Sequence, residues 1–121
     1  MLQPINTRQT GKRYENIALS YLKKAGLKHI ASNVNYPVGE LDLIMQENNI
    51  WVFIEVRFRR SAQFGGAILS VTPKKQQRIL QAALHWFADN NLSIEQESCR
   101  FDIFAITGNQ VEWIENAIES N

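Results

Sequence analysis

The sequence predicts an α/β sandwich: a mixed β-sheet flanked by helices, with elements in the order αβββαββ. Two observations carry this prediction. Apolar residues recur at helical spacing in two segments, first Tyr14, Ile17, Ala18, Tyr21, Leu22 and Ala25, then Ile79, Leu80, Ala83, Trp86 and Phe87. Between and after them lie short runs rich in β-branched and aromatic residues, punctuated by Gly, Pro and Asn.

The first helix ends at Gly26, a natural stop. Segment 27–36 reads as a weak strand closed by Pro37. Segments 40–46 and 51–58 read as strands, the second stronger. "RRSAQFGGAILSV" (59–71) is a glycine-containing loop, with Gly65-Gly66 a flexible point able to close over a ligand. Thr72 is placed to cap the second helix and Pro73 to occupy its first turn. "RFDIFAI" (100–106) is a strand, "TGNQ" a turn and "VEWI" (111–114) a last short strand.

A chain of 121 residues, 45% apolar and 21% charged, fits one soluble domain spanning 1–121. No stretch approaches the ~20 apolar residues of a membrane span. The first residues lack the apolar run of a signal peptide. The single Cys99 excludes an internal disulfide and a cysteine-rich zinc site. These features point to a cytoplasmic protein. The net charge is only +1, but its distribution is uneven. From Val56 to Ala88 stand six bases (Arg57, Arg59, Arg60, Lys74, Lys75, Arg78) and no acid; from Asp89 onward stand seven acids and one base, Arg100. The middle of the chain therefore offers a basic face. The simpler reading is that these cations merely solvate a helix.

Three acids interrupt the strand-like stretch "GELDLIMQENNIWVFIEVRFR": Glu40, Asp42 and Glu55. Asn48-Asn49 suits a two-residue hairpin turn of type I′, since Asn tolerates positive φ. Glu47 then pairs with Ile50, Asp42 lies across from Glu55, and Glu40 lies across from Arg57. Alternation puts these four on one sheet face with Ile44 and Phe53. The opposite face is apolar throughout: Leu41, Leu43, Met45, Val52, Ile54 and Val56. Directly opposed carboxylates sit with Cβ atoms ~4.5–5.5 Å apart and repel. A divalent cation, Mg²⁺ or Mn²⁺, is the natural partner for such hard oxygen ligands, with the Val56 carbonyl as a third ligand. Glu15 borders the apolar stripe of the first helix, where packing on this sheet aims it at the pair. The competing reading is a polar sheet edge, with Glu40 paired to Arg57, Asp42 and Glu55 in water, and Glu15 an ordinary solvated helix residue. Ile44, Trp51 and Phe53 on the same face weigh against it, because half-buried carboxylates need partners.

Five segments, "YENIALSYLKKAG", "VGELDLI", "FIEVRFR", "VTPKKQQRILQAALHW" and "RFDIFAI", resemble the YraN-type uncharacterised protein family. That family is similar to archaeal Holliday-junction resolvases and belongs to the broad PD-(D/E)XK nuclease superfamily. The resemblance spans nearly the whole chain. It implies a restriction-endonuclease-like core and a metal-dependent phosphodiesterase. It puts Asp42 and Glu55 at the metal-binding acids, Glu15 at the first-helix acid, and Arg57 where the superfamily has its catalytic lysine. Arg57 is a departure, because a guanidinium stabilises negative charge but is never deprotonated in proteins.

The expected function is thus an endonuclease acting on DNA, structure-selective for branched or single-stranded forms. Mg²⁺ or Mn²⁺ sits at Asp42 and Glu55, and Glu15 positions water or a second ion. Arg57 supplies charge to the phosphate, and Arg59, Arg60, Lys75 and Arg78 hold the flanking backbone. The alternative is a catalytically weak or inactive nucleic-acid-binding protein that keeps the fold; a small protein adaptor using the acidic C-terminal third is weaker still. By similarity to the resolvases a homodimer is expected, with Trp113 or Phe64 at its interface.

Overall fold

The computed structural model describes residues 7–61 and 66–119, with side chains in the first helix from residue 11. The chain runs α1 (Thr7–Lys24), β1 (Lys28–Tyr36), β2 (Gly39–Glu47), β3 (Ile50–Arg59), a 3₁₀ turn at Ile68–Ser70, α2 (Pro73–Asp89), β4 (Ser98–Thr107) and β5 (Gln110–Ile114). This is the expected order, with strand ends shifted by at most two residues. Phe64 and Gly65 of the predicted loop lie outside the described residues.

The five strands lie in chain order, β1-β2-β3-β4-β5. All neighbours are antiparallel except β3 and β4, which run parallel from Ile50↔Ser98 to Arg59↔Thr107. A parallel pair needs a crossover, and α2 is that crossover. It covers one face of the sheet, packing Ile79, Ala82, Ala83, Trp86 and Phe87 onto Ile44, Phe53, Phe101 and Ile103. On the other face α1 packs Ala18 and Leu22 with Leu43, Met45, Val52, Ile54 and Phe104. Phe53 lies at the centre of the first cluster, stacked on Phe101 at 5.2 Å and edge-on to Trp86 and Phe87. Among the described residues no helix is long and apolar enough to cross a membrane.

The helix ends obey local rules. Thr72 Oγ1 accepts the Lys75 backbone N–H at 3.3 Å, and Pro73 begins α2 as expected. Gly26 ends α1 at φ 104°, where a side chain would be strained. The predicted stripe of α1 was too broad. Ala18 and Leu22 are fully buried, but Ile17 and Tyr21 stay 40% and 47% exposed. Tyr21 spends one edge of its ring on Phe104 and Trp113, leaving the rest open. The hairpin tip also differs. Asn48 has φ 54°, but Asn49 does not adopt positive φ, so the turn lacks the two such residues of type I′.

Part of the acidic C-terminal third is committed internally, while Asp89, Glu95, Glu112, Glu115 and Glu119 stay exposed. Asp102 is fully buried and accepts four bonds: two from Arg100 Nε at 3.2 Å, one from Trp113 Nε1 at 2.9 Å and one from the Asn116 N–H at 2.9 Å. Arg100 also reaches Glu47 and Glu115, tying the β2–β3 hairpin to the end of β5. Asp89 accepts from Tyr36, and Glu97 from Trp51.

This packing sets three expectations for stability. A Cβ at Gly39 would sit 2.5 Å from the Arg78 carbonyl oxygen, so α2 crosses the start of β2 too closely for any side chain. Gly39→Ala should lower stability by about 1–3 kcal/mol in urea unfolding. Gly11→Ala, whose added Cβ meets nothing within 4 Å, should be neutral or stabilising by up to ~1 kcal/mol. Asp102→Ala strands the Arg100 guanidinium and two buried donors, and should cost about 3 kcal/mol or more in the same assay.

Candidate active site

The β2–β3 ladder runs in the expected register from Glu47↔Ile50 to Leu43↔Ile54 and stops there. Beyond it the strands part, and a side chain fills the gap. Asp42 Oδ2 accepts the Val56 backbone N–H at 3.0 Å. A carboxylate reaches an N–H in the plane of a sheet only where the neighbouring strand has moved aside. The parting corrects two expectations. Glu40 does not pair with Arg57 across the hairpin; Glu40 is exposed, and Arg57 turns back to its own strand, Nε 3.1 Å from Glu55 Oε1. Leu41, which alternation assigns to the α1 face, packs instead in the cluster under α2. Strict alternation assumes a flat strand paired on both sides, and beyond Leu43 β2 is paired with β1 alone.

The parting opens a cleft of about 360 Å³ at the end of the sheet. Its floor is Asp42, Glu55, Val56 and Arg57. Glu15 and Gly11 of α1 form one wall; Lys75, Arg78 and Ile79 of α2 form the other, with Gly39 and Glu40 at the rim. Sequence-predicted residues from four separate elements thus meet in one cavity: Glu15, Asp42, Glu55, Arg57, Lys75 and Arg78. Arg59 and Arg60 do not line it. Both are exposed at the end of β3, where Arg59 donates to the Phe58 carbonyl at 3.1 Å.

Glu15 is held in place by its neighbour. Tyr14 stacks flat on Phe58, ring centroids 3.9 Å apart at 12°, which clamps the front of α1 over the end of β3. Burial raises the Glu15 carboxyl to about 7; Asp42 and Glu40 add repulsion, while a hydrogen bond to Asn33 and the Lys12 charge oppose it. Asp42 and Glu55 interact side chain to side chain. Burial pushes both well above the ordinary carboxylate range. For Asp42 the Val56 hydrogen bond pulls back, and for Glu55 the Asp42 charge pushes further. The pair therefore holds a proton at a pH where two separate carboxyls would both be ionised. Arg57 favours ionisation of both, yet its Nε–H is buried without an aligned hydrogen-bond acceptor among the described residues.

Two contributors escaped sequence reasoning. Asn33, at φ 54° within β1, bonds Glu15; an asparagine inside a weak strand was the available signal. Gly39, the glycine before Glu40, admits the α2 backbone and so brings Lys75 and Arg78 to the acids.

No group of three or more His, Cys, Asp or Glu side chains is arranged to hold a metal ion among the described residues. The cleft offers two buried carboxylates with the Val56 backbone between them. Hard oxygen donors pressed together suit a divalent cation such as Mg²⁺ or Mn²⁺.

Residues 14–106 match the family described as "Uncharacterised protein family UPF0102", a span that holds every element from Tyr14 to Ile106 and the whole cleft floor. The chain belongs to the UPF0102 family. It is 54% identical over 114 residues to a UPF0102 protein of Yersinia enterocolitica, covering 94% of this chain and 97% of that one. It is 51% identical over 117 residues to a UPF0102 protein of Yersinia pseudotuberculosis, covering 97% and 100%. This is the YraN-type family that the five segments resembled, and the matched UPF0102 span includes Glu15, Asp42, Glu55, Arg57, Lys75 and Arg78.

The raised carboxyls set a pH dependence. Each acid binds its proton more tightly folded than unfolded, so between the unfolded and folded pKa values the native state holds more protons. Stability of the metal-free protein should therefore fall as pH rises from about 4.5 through 7. Thermal melts in chelator across that range should show the decline, and Asp42→Asn should flatten it. Asn still accepts the Val56 N–H, so the variant should melt at or above wild type at pH 7.5.

Proposed function

We propose that this protein is a metal-dependent endonuclease acting on DNA, selective for branched or single-stranded structure. One observation carries the reading: two buried carboxylates are held against each other where β2 leaves β3, in a cleft whose remaining walls supply arginine and lysine. A protein that only bound nucleic acid would gain nothing from burying two acids beside a phosphate site. Their cost in stability marks them as retained for chemistry.

Asp42 and Glu55 are the residues that would hold Mg²⁺ or Mn²⁺, with the Val56 carbonyl as third donor; such an ion would supply charge neutralisation at the phosphate and a more nucleophilic water. Asp42 is oriented by the Val56 N–H, which leaves its other oxygen free to ligate. The pair must give up its proton on loading, so metal affinity rises with pH. Glu15, clamped by the Tyr14–Phe58 stack, orients the attacking water from the α1 wall. Arg57 sets a permanent positive charge on the scissile phosphate. Arg78 in the cleft, and Arg59 and Arg60 beyond it, hold the flanking backbone. Backbone contacts carry no base information, which favours substrate choice by shape.

The test is purified protein with Mn²⁺ or Mg²⁺ and a panel of branched, single-stranded and duplex DNAs. Cleavage should require the metal and prefer the non-duplex forms. Asp42→Asn and Glu55→Gln should each reduce it by ~10²-fold or more while binding DNA in chelator as wild type does. Wild type that binds these DNAs with the salt dependence of phosphate contacts, yet cuts none with either metal, would instead identify a binder that keeps the fold.

A further inference from the structure

Resting on the nuclease reading, we propose that Lys75, from the first turn of α2, is a catalytic residue: its ε-amine takes the proton of the attacking water, the task that Arg57 on β3 is unable to perform.

Position 57 is where the resemblance implies a catalytic lysine, and it carries a guanidinium that stays charged at any working pH. Arg57 is also engaged, 3.1 Å from Glu55 Oε1. The cleft nevertheless contains an amine. Among the described residues lining it, Lys75 is the one lysine, facing the acids from the opposite wall. Its position is built. Pro73 starts α2, Thr72 caps the Lys75 backbone N–H, and the glycine at 39 lets the helix close onto β2. Lys75 is half-buried, whereas Lys74 beside it is exposed.

Its surroundings suit proton exchange. Burial, then the Arg57 charge, hold the Lys75 ammonium below the ordinary lysine range; Arg59 adds to this, and Glu55 opposes it. The other charged groups facing it are Glu15 from α1, Glu40 and Asp42 from β2, and Arg78 from its own helix. The helix N-terminus further disfavours a cation there. In the step itself, the water oxygen forms a bond to phosphorus as one of its protons passes to the neutral Lys75 Nζ. The bond from phosphorus to the leaving sugar oxygen breaks with its electron pair, and that oxygen is protonated by solvent. Lys75 then returns its proton to solvent. Two like charges, Arg57 and Lys75, thereby divide what one lysine would do: the first stays charged for the phosphate, and the second loses its proton.

Charge and proton transfer are separable by substitution. Lys75→Arg keeps the charge and loses the exchange. It should bind branched DNA in chelator within about threefold of wild type at each salt concentration, yet cleave it ~10²-fold more slowly in single turnover with Mn²⁺. The double variant Arg57→Lys/Lys75→Arg, which returns the amine to β3, should recover at least tenfold of that loss. A readout without metal or substrate is competitive acetylation of the folded protein, followed by peptide mass spectrometry. The pH of half-modification at Lys75 should rise in Arg57→Ala, because a repelling charge has gone. Cleavage by Lys75→Arg at the wild-type rate would overturn the role of Lys75 and leave the nuclease reading standing. An unchanged Lys75 titration in Arg57→Ala would overturn it as well. Absence of cleavage by wild type on every substrate would remove both.

Discussion

The organisation of the site depends on the point where β2 leaves β3. A strand that stayed paired through Leu41 and Glu40 would bury its backbone groups in the ladder and direct each side chain squarely to one face. Parting after Leu43↔Ile54 leaves an N–H on β3 to be satisfied, and Asp42 satisfies it from the side. That single bond fixes the carboxylate in the plane of the sheet, beside Glu55, and creates the cavity that both helices wall. The Gly39–Arg78 contact acts on the same spot from outside. Because no side chain stands at 39, α2 can settle over the departing strand and bring its basic first turns to the acids.

The chain buries aspartate in two places and treats it in opposite ways. Asp102 receives four bonds from three donors and the charge of Arg100, so its lone pairs are filled and its ionisation is compensated. Asp42 receives one backbone N–H and a neighbouring carboxyl that repels it. The first arrangement stabilises, locking β4 and β5 to the hairpin through Arg100. The second stores electrostatic cost that a cation would relieve. Two aspartates in one small protein, one fully satisfied and one not, argue that the shortage at Asp42 is local and specific to the cleft, since the fold readily supplies donors elsewhere.

Much of this was legible in the sequence. The element order, the Thr72-Pro73 start of α2 and the Glu47↔Ile50 register rest on local signals: caps, turn residues and period-two alternation. The grouping of Glu15, Asp42, Glu55 and Arg57 followed from parity together with the family resemblance. What stayed hidden is non-local. Alternation assigned Leu41 to the wrong face because nothing in residues 39–43 announces that the partner strand diverges. Arg57 was paired to Glu40 on the same assumption. The burial of Asp102 depends on Arg100, Trp113 and Asn116, which approach only when β5 folds back on β4. Charge counting alone placed it on an acidic surface. Lys75 was read as one cation in a basic run, since helical periodicity does not reveal which lysine faces the neighbouring strand.

Position 57 brings these threads together. A lysine beside two crowded carboxylates has a choice of protonation states; an arginine has none. Fixing the charge there gives Glu55 a permanent partner at 3.1 Å without adding a second group that titrates beside the pair. On the other wall, burial and the Arg57 charge hold the Lys75 ammonium below the ordinary lysine range. α2 reaches the cleft with Lys75 because glycine occupies position 39.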